Sequence, residues 1–172
     1  MKSEAFKYEM AKETLMEQMN SFDDILPVCG KVVKNLLGEA WEVSFNRRAV
    51  RTLGVCVYSQ RRIELSYEYA KKYITLDKED LVRTVLHEIA HALAEATPQS
   101  KNEGPHGATW QHYCGLLGIP DEKPVCALKH EVGTRRWALV NADTGEICIR
   151  WFRRPRRDFS WLGNYKLVRL EA

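Results

Sequence analysis

The segment His87-Glu88-Ile89-Ala90-His91 constrains this chain more than any other feature of its sequence. On a helix, residues four apart project from the same face, so both imidazoles can hold one metal ion with Glu88 beside them. Such a pair demands a helix that is packed firmly enough to fix two side chains. The motif therefore predicts a buried helix that carries metal ligands.

The residues around the motif predict the same helix. Asp77 is a suitable N-cap, and Pro98 ends the pattern. Between them, apolar residues recur at helical spacing at Leu81, Val82, Val85, Leu86, Ile89 and Leu93. This context favours a metal site over a chance match, although a structural metal site or two histidines satisfied by a buried helix are alternative interpretations.

A catalytic zinc takes three protein ligands and leaves a fourth position for water. His87 and His91 supply two of these ligands. Bound zinc lowers the pKa of its water towards about 7, and a neighbouring carboxylate can take the proton and hand it to a leaving amine. Glu88 is the residue that we expect in this role of general base.

The third ligand has to come from another segment, and the remaining histidines are His106, His112 and His130. His106 is the best candidate because it lies in a Gly-Pro-His-Gly turn that opens a short apolar helix over residues 108–117. His112 lies inside that helix, where a packing or surface histidine is expected. Glu103 is an alternative ligand. The extended zinc-protease pattern fails, because Ala94 and Thr97 occupy its glycine and histidine positions.

These motifs together resemble a known family. The run from His87 to Leu93, followed by His106-Gly107-Ala108-Thr109-Trp110, is similar to the SprT-like metalloprotease domain of bacterial SprT proteins and the eukaryotic protease Spartan. The upstream segments 41–45, 51–56 and 62–66 are similar to the strands that precede the metal helix in that family. The resemblance covers about residues 20 to 120, and it is specific because three separated motifs occur in the order found in that family.

The resemblance implies that His87, His91 and His106 bind Zn²⁺ and that Glu88 is the catalytic base. It also implies proteolysis of proteins that are bound or crosslinked to DNA, so that the expected partners are a protein substrate and nucleic acid. The competing hypothesis is a nucleic-acid-binding protein whose metal domain is structural or catalytically idle. Hydrolysis of a bond other than a peptide would use the same metal chemistry.

The composition bounds the fold and its compartment. A chain of 172 residues with 45% hydrophobic residues can bury one core and carry a small appended module. No apolar run approaches the length of about 18 residues that a membrane span requires, and no signal peptide is evident, so we expect a cytoplasmic protein, or a nuclear one in a eukaryote. The five cysteines are scattered, as reduced thiols would be.

The coarse pattern predicts an α+β fold. Helices are expected over residues 3–20 and 23–37, and strands over 41–45, 53–58 and 62–65, the last two joined by a tight turn at residues 59–61. We expect a small antiparallel sheet packed with helices. The composition of residues 96–105 predicts a loop, which can serve as a cleft wall or a lid or can be a plain solvated connector. Arg62–Ser66 is our candidate edge strand for pairing with an extended substrate peptide.

The C-terminal part of the chain differs in charge. Residues 123–172 carry a net charge of +6, whereas residues 1–122 carry −3. We therefore predict a metallopeptidase domain at 1–122 and a basic, aromatic-rich β-meander at 123–172. Guanidinium groups neutralise phosphates and exposed rings stack on bases, so Arg153, Arg154, Arg156 and Arg157 are candidate nucleic-acid contacts. A solvated loop beside a small β core is the alternative.

This C-terminal segment departs from the family. Many SprT-like proteins carry a C-terminal zinc ribbon of paired cysteines, and this chain has no Cys-x-x-Cys pair. Cys126, Cys148 and His130 supply three ligands where a structural zinc needs four. We therefore expect a ribbon relic without metal, and a single zinc ion in the whole chain.

Overall fold

The computed structural model describes residues 2–49, 52–123, 137–151, 154–155 and 163–169. Over these residues the chain is a mixture of α and β structure with five α-helices and two three-stranded sheets. It divides into two units, residues 1–130 and residues 131–172. No helix among the described residues is both long enough and apolar enough to cross a bilayer.

The first unit contains all five helices and the first sheet. Its elements are, in chain order, α1 (Lys2–Gln18), α2 (Ile25–Leu37), β1 (Glu42–Asn46), β2 (Gly54–Val57), β3 (Arg62–Ser66), α3 (Tyr67–Leu76), α4 (Lys78–Glu95) and α5 (Ala108–Leu116). The predicted helices and strands are thus present, with ends displaced by a few residues. Helix α3 is an addition to the prediction.

The first sheet is mixed, and the prediction of an antiparallel sheet is wrong on this point. Strand β3 lies in the centre, antiparallel to β2 and parallel to β1. The turn at Tyr58–Gln60, with Arg61 in the left-handed region, returns the chain from β2 directly into β3. Strand β1 pairs with the other edge of β3 and runs in the same direction as β3.

This arrangement also corrects the candidate edge strand. Arg62–Ser66 pairs on both sides, so its backbone groups are used within the sheet. The described residues give β2 a partner on one side only, and β2 packs against α4. The edge that faces the metal helix is therefore formed by Gly54–Val57.

Helix α4 is the centre of the first unit. It packs against α1, α2, α3, α5 and the strands β2 and β3. Its buried residues lie all around its circumference, from Leu81 to Ala94, as expected for a helix that is enclosed by its neighbours. Leu15, Ile63 and Leu65 complete the surrounding core with no exposed surface.

Helix α3 fixes the start of α4. The Ser66 side chain caps α3 by accepting a hydrogen bond from the Tyr69 backbone N–H. The buried Tyr69 hydroxyl then donates to Asp80 at 3.0 Å and lies 3.1 Å from the Thr84 hydroxyl. Both partners belong to α4, so this tyrosine joins the two helices through polar contacts in the core.

The second unit is a separate three-stranded antiparallel sheet. Its strands are β4 (Trp137–Asn141), β5 (Ile147–Trp151) and β6 (Tyr165–Arg169), with β4 in the centre. A turn at residues 141–145 joins β4 to β5, where the Asn141 side chain accepts from the backbone of Asp143 and Thr144. A meander would pair β5 with β6. Here the long connection after β5 lets β6 pair with the other edge of β4.

The cysteines that the structure describes are free thiols. Cys29, Cys56, Cys114 and Cys148 make no disulfide, as predicted. Cys126 lies outside the described residues, as does His130, so the prediction of a metal-free ribbon relic stays a prediction.

Candidate metal centre

The two histidines of the motif lie on α4 and face the same point. The helix begins at its N-cap Asp77, whose side chain accepts from the Asp80 backbone N–H at 3.0 Å, as predicted. Nε2 of His87 lies 3.1 Å from Nε2 of His91. Two nitrogens bound to one tetrahedral zinc at about 2.0–2.1 Å lie about 3.3 Å apart. The pair is therefore already spaced for a shared ion.

His106 reaches the same point from the segment before α5. Glu103 fixes this segment: its carboxylate accepts from the backbone N–H of Thr109 at 2.7 Å and from the Thr109 hydroxyl at 3.0 Å. This places a carboxylate at the N-terminus of α5, where it satisfies an unpaired donor. Gly107 leaves room for it, since a Cβ at Gly107 would lie 2.5 Å from Glu103 Oε2.

The structure thus brings together the three histidines named from the sequence. One nitrogen from each of His87, His91 and His106 lies within 4.8 Å of the others, a group that could hold a metal ion. Glu103 caps α5 and does not belong to this group, and His112 is exposed on α5 beside Tyr113. The geometry favours His106 over both alternatives.

The chemistry of the three imidazoles fits a metal ion. Burial, followed by the neighbouring His87 and His106, lowers the pKa of His91 to about 4. Burial and His87 also lower the pKa of His106. Neutral imidazole is the form that binds a metal. His106 Nε2 is buried and has no hydrogen-bond partner among the described residues, and a bound cation would satisfy it.

Trp110 forms an aromatic wall for all three ligands. Its ring centroid lies 5.0 Å from that of His87, 5.7 Å from that of His91 and 4.7 Å from that of His106. The tryptophan is almost completely buried. A rigid apolar neighbour restricts the rotamers of the imidazoles and keeps water away from one side of the site.

Glu88 is held in the narrow space between α4 and β2. Its side chain is buried, and a Cβ at Gly54 would lie 2.8 Å from Glu88 Cγ and 2.9 Å from Oε1. Burial raises the pKa of Glu88 to about 7, while His87 and a hydrogen bond from the Cys56 backbone oppose the shift. The carboxylate therefore sits beside the histidines in a position that only a glycine at residue 54 allows.

An open cleft of about 380 Å³ borders the site. Its walls include Tyr58, His91, Glu95, Lys101, Pro105 and Trp110. Residues 98–102, predicted as loop, form a short 3₁₀-helix on one side of this cleft. On the other side Tyr58 follows β2, and burial raises the pKa of its phenol to about 12, so that it keeps its proton and can donate a hydrogen bond.

Two residues near the ligands were not foreseen. Glu122 Oε1 lies 3.3 Å from His87 Nδ1, and Arg83 contacts the same carboxylate at 2.7 Å. Arg83 lies one helical turn before His87, so its position on the same face of α4 could have been read from the sequence, whereas no sequence signal indicated Glu122. Of the four candidate arginines, Arg154 is exposed with its guanidinium 5.4 Å from the Trp137 ring centroid, and Arg153, Arg156 and Arg157 lie outside the described residues.

One protein-family model matches the sequence of this chain. The model of the SprT-like family aligns with residues 27–125, which is more than half of the chain and includes the three histidines and Glu88. The chain belongs to the SprT-like family. The match confirms the resemblance read from the sequence motifs and places the SprT-like region within the first unit. No curated protein and no solved structure shows significant similarity to the chain.

Proposed function

We propose that this protein is a zinc-dependent endopeptidase that cleaves proteins bound or crosslinked to DNA. The observation that carries the proposal is the convergence of three imidazoles and one buried carboxylate at the border of an open cleft. Membership of the SprT-like family supports the same chemistry.

His87, His91 and His106 would hold Zn²⁺, which supplies Lewis-acid polarisation of a peptide carbonyl and lowers the pKa of water. Glu88 follows His87 directly on α4, so its carboxylate can take a proton from the attacking water. The same carboxyl group then passes that proton to the departing amine. Gly54 and the Cys56 backbone hold Glu88 in place for both transfers.

The cleft accounts for the binding of an extended peptide. The described residues pair β2 on one side only, and β2 leads into Tyr58 at the cleft wall. A substrate segment can add to this edge by main-chain hydrogen bonds, which accept many side-chain sequences. This role replaces the one expected for Arg62–Ser66.

The decisive experiment compares the wild-type protein with Glu88→Gln. The variant keeps the shape of the side chain and loses the base, so zinc content should be equal while cleavage of a DNA-bound protein falls by at least 10²-fold. Equal cleavage by the two proteins would contradict the assignment of Glu88. No cleavage by the zinc-loaded wild-type protein, on DNA-bound and free substrates alike, would favour the nucleic-acid-binding alternative.

The DNA part of the proposal is supported by charge. Residues 123–172 have a net charge of +6, and Arg153, Arg154, Arg156 and Arg157 are concentrated in one short segment. Replacing all four by glutamine should weaken binding of single-stranded DNA. The slope of log K against log salt should fall by about 0.7 for each phosphate contact that is lost.

In a matched control, glutamine replaces four exposed lysines of the first unit: Lys31, Lys34, Lys71 and Lys72. It changes the net charge of the protein equally, and we expect it to retain most of the DNA affinity. Equal losses in the two variants would mean that net charge, and not this arginine segment, binds DNA. Zinc-dependent cleavage of a free protein should be the same in both variants.

A further inference from the structure

The imidazole of His87 contacts the buried carboxylate of Glu122 through the ring nitrogen that faces away from the candidate metal centre. His87 Nδ1 lies 3.3 Å from Glu122 Oε1, and the glutamate side chain is only 4% exposed. The other ring nitrogen of His87, Nε2, faces His91 Nε2 at 3.1 Å. His87 thus presents one nitrogen to the site and the other to Glu122.

This orientation decides which nitrogen is free to bind a cation. A carboxylate accepts a hydrogen bond from an N–H, so Glu122 favours the tautomer of His87 with its proton on Nδ1. The lone pair then lies on Nε2, inside the site. Such a partner also restricts rotation of the ring and increases the basicity of the ligand nitrogen.

Arg83 contacts the Glu122 carboxylate, and a backbone hydrogen bond fixes the residue itself. Arg83, one turn before His87 on α4, contacts Glu122 Oε2 at 2.7 Å. The Glu122 backbone N–H donates to the Ile119 carbonyl oxygen at 3.1 Å, which forms a turn after α5. A buried carboxylate without a cationic partner would be costly, so the contact with Arg83 stabilises Glu122 in its position beside the histidine.

We infer that Glu122 is a positioning residue of the metal centre, held by Arg83, and that it sets the tautomer and direction of His87. The inference rests on the proposed function, because it concerns the affinity of the same site for zinc. Glu122 is not a member of the group of three histidines that could hold the metal, and it contacts that group through His87. Its effect is therefore expected first in metal affinity.

The test measures the dissociation constant for Zn²⁺ by competition with a chromophoric chelator, using the full-length protein. Glu122→Gln should weaken zinc binding by about 10- to 100-fold. The matched control is Asp121→Asn, which removes a neighbouring carboxylate that contacts Arg83 at 3.3 Å and is 78% exposed. Because Asp121 makes no contact with His87 that the structure records, this control should bind zinc as the wild type does.

A second measurement separates positioning from a merely structural role. The free energy of unfolding of each metal-free protein is measured with urea, together with the visible absorption of the Co²⁺-loaded form. Glu122→Asp keeps a charge near Arg83 and withdraws it from His87, so it too should lose zinc affinity. An altered Co²⁺ spectrum in a variant that remains folded supports the inference.

Other outcomes of these measurements would contradict the inference or the proposed function. If Glu122→Gln and Glu122→Asp lower the stability of the metal-free protein and leave the zinc dissociation constant and the Co²⁺ spectrum unchanged, Glu122 is a structural residue and the inference is wrong. If the wild-type protein itself binds no zinc, the proposed function fails. Zinc binding by the wild type without any proteolysis would leave the inference intact and contradict the peptidase proposal.

Discussion

Gly54 and Glu88 are in such close contact that a single methyl group cannot be inserted between them. A Cβ at Gly54 would lie 2.8 Å from Glu88 Cγ, closer than real Cβ atoms approach another heavy atom, and 3.2 Å from Cδ. Gly54 lies in the strand at the sheet edge, and Glu88 lies on the helix that carries two of the histidines. The strand therefore sets the position of the proposed base.

The first prediction follows from this contact. Gly54→Ala should displace the Glu88 carboxylate and lower peptidase kcat by at least 10-fold, since a small misplacement of a reacting group has large kinetic effects. Zinc content should remain stoichiometric, because none of the three histidines moves. Metal analysis and steady-state kinetics on the same sample check both parts.

The control for this variant is Gly30→Ala in helix α2. A Cβ at Gly30 meets no atom within 4 Å, and the residue lies inside a helix. Alanine there should raise the free energy of unfolding by about 0.5–1 kcal/mol and leave kcat unchanged. A Gly54→Ala protein with wild-type kcat would show that Glu88 has room to move without loss of function.

The second prediction concerns the third ligand. His106→Ala should reduce bound zinc to well below one ion per chain after dialysis, because two imidazoles cannot retain the ion against a competing chelator. His112→Ala is the matched control, since His112 is exposed and lies outside the histidine group. If His106→Ala retained one zinc ion per chain, another residue would have to be the third ligand.

The third prediction separates capping from metal binding at Glu103. Glu103→Ala removes the acceptor for the Thr109 N–H and hydroxyl, so the free energy of unfolding should fall by about 0.5–2 kcal/mol. At saturating zinc the variant should still bind one ion. Urea unfolding measures the stability, and metal analysis measures the bound zinc. A Glu103→Ala protein that remains folded but binds no zinc would indicate that Glu103 is the third ligand.

The fourth prediction concerns the start of the central helix. The Asp77 side chain caps α4, so Asp77→Ala should lower the free energy of unfolding by about 0.5–2 kcal/mol. Asp77→Asn keeps an oxygen acceptor and should lose much less. Urea denaturation of both proteins in their metal-free form measures the difference, and equal losses would mean that the charge of Asp77, and not its hydrogen bond, stabilises the helix.

The sequence was most informative where one local rule determines the structure. The helix from Asp77 to the segment before Pro98 was predicted with its N-cap, because apolar periodicity and a capping residue are both local signals. His106 was selected from its turn residues, and the structure brings it to His87 and His91. In each case the residues that predict the feature are close to it in the chain.

The features that escaped prediction depend on distant partners. Alternation in Arg62–Ser66 indicates a strand but contains nothing about its direction relative to β1, so the parallel pairing and central position of β3 were missed. Helix α3 was overlooked although Tyr69, Ala70, Tyr73 and Ile74 recur at helical spacing behind the Ser66 cap. Glu122 lies in a turn without any periodicity, so its contact with His87 required the three-dimensional structure.

The three histidines come from two segments of chain, since α4 provides two and the residue before Gly107 provides the third. A cation shared by all three would act as a reversible crosslink that encloses the stretch around Pro98–Asn102. Removal of the cation would release this crosslink, so the stretch should be cut more readily by an added protease in the metal-free protein than in the zinc-loaded one.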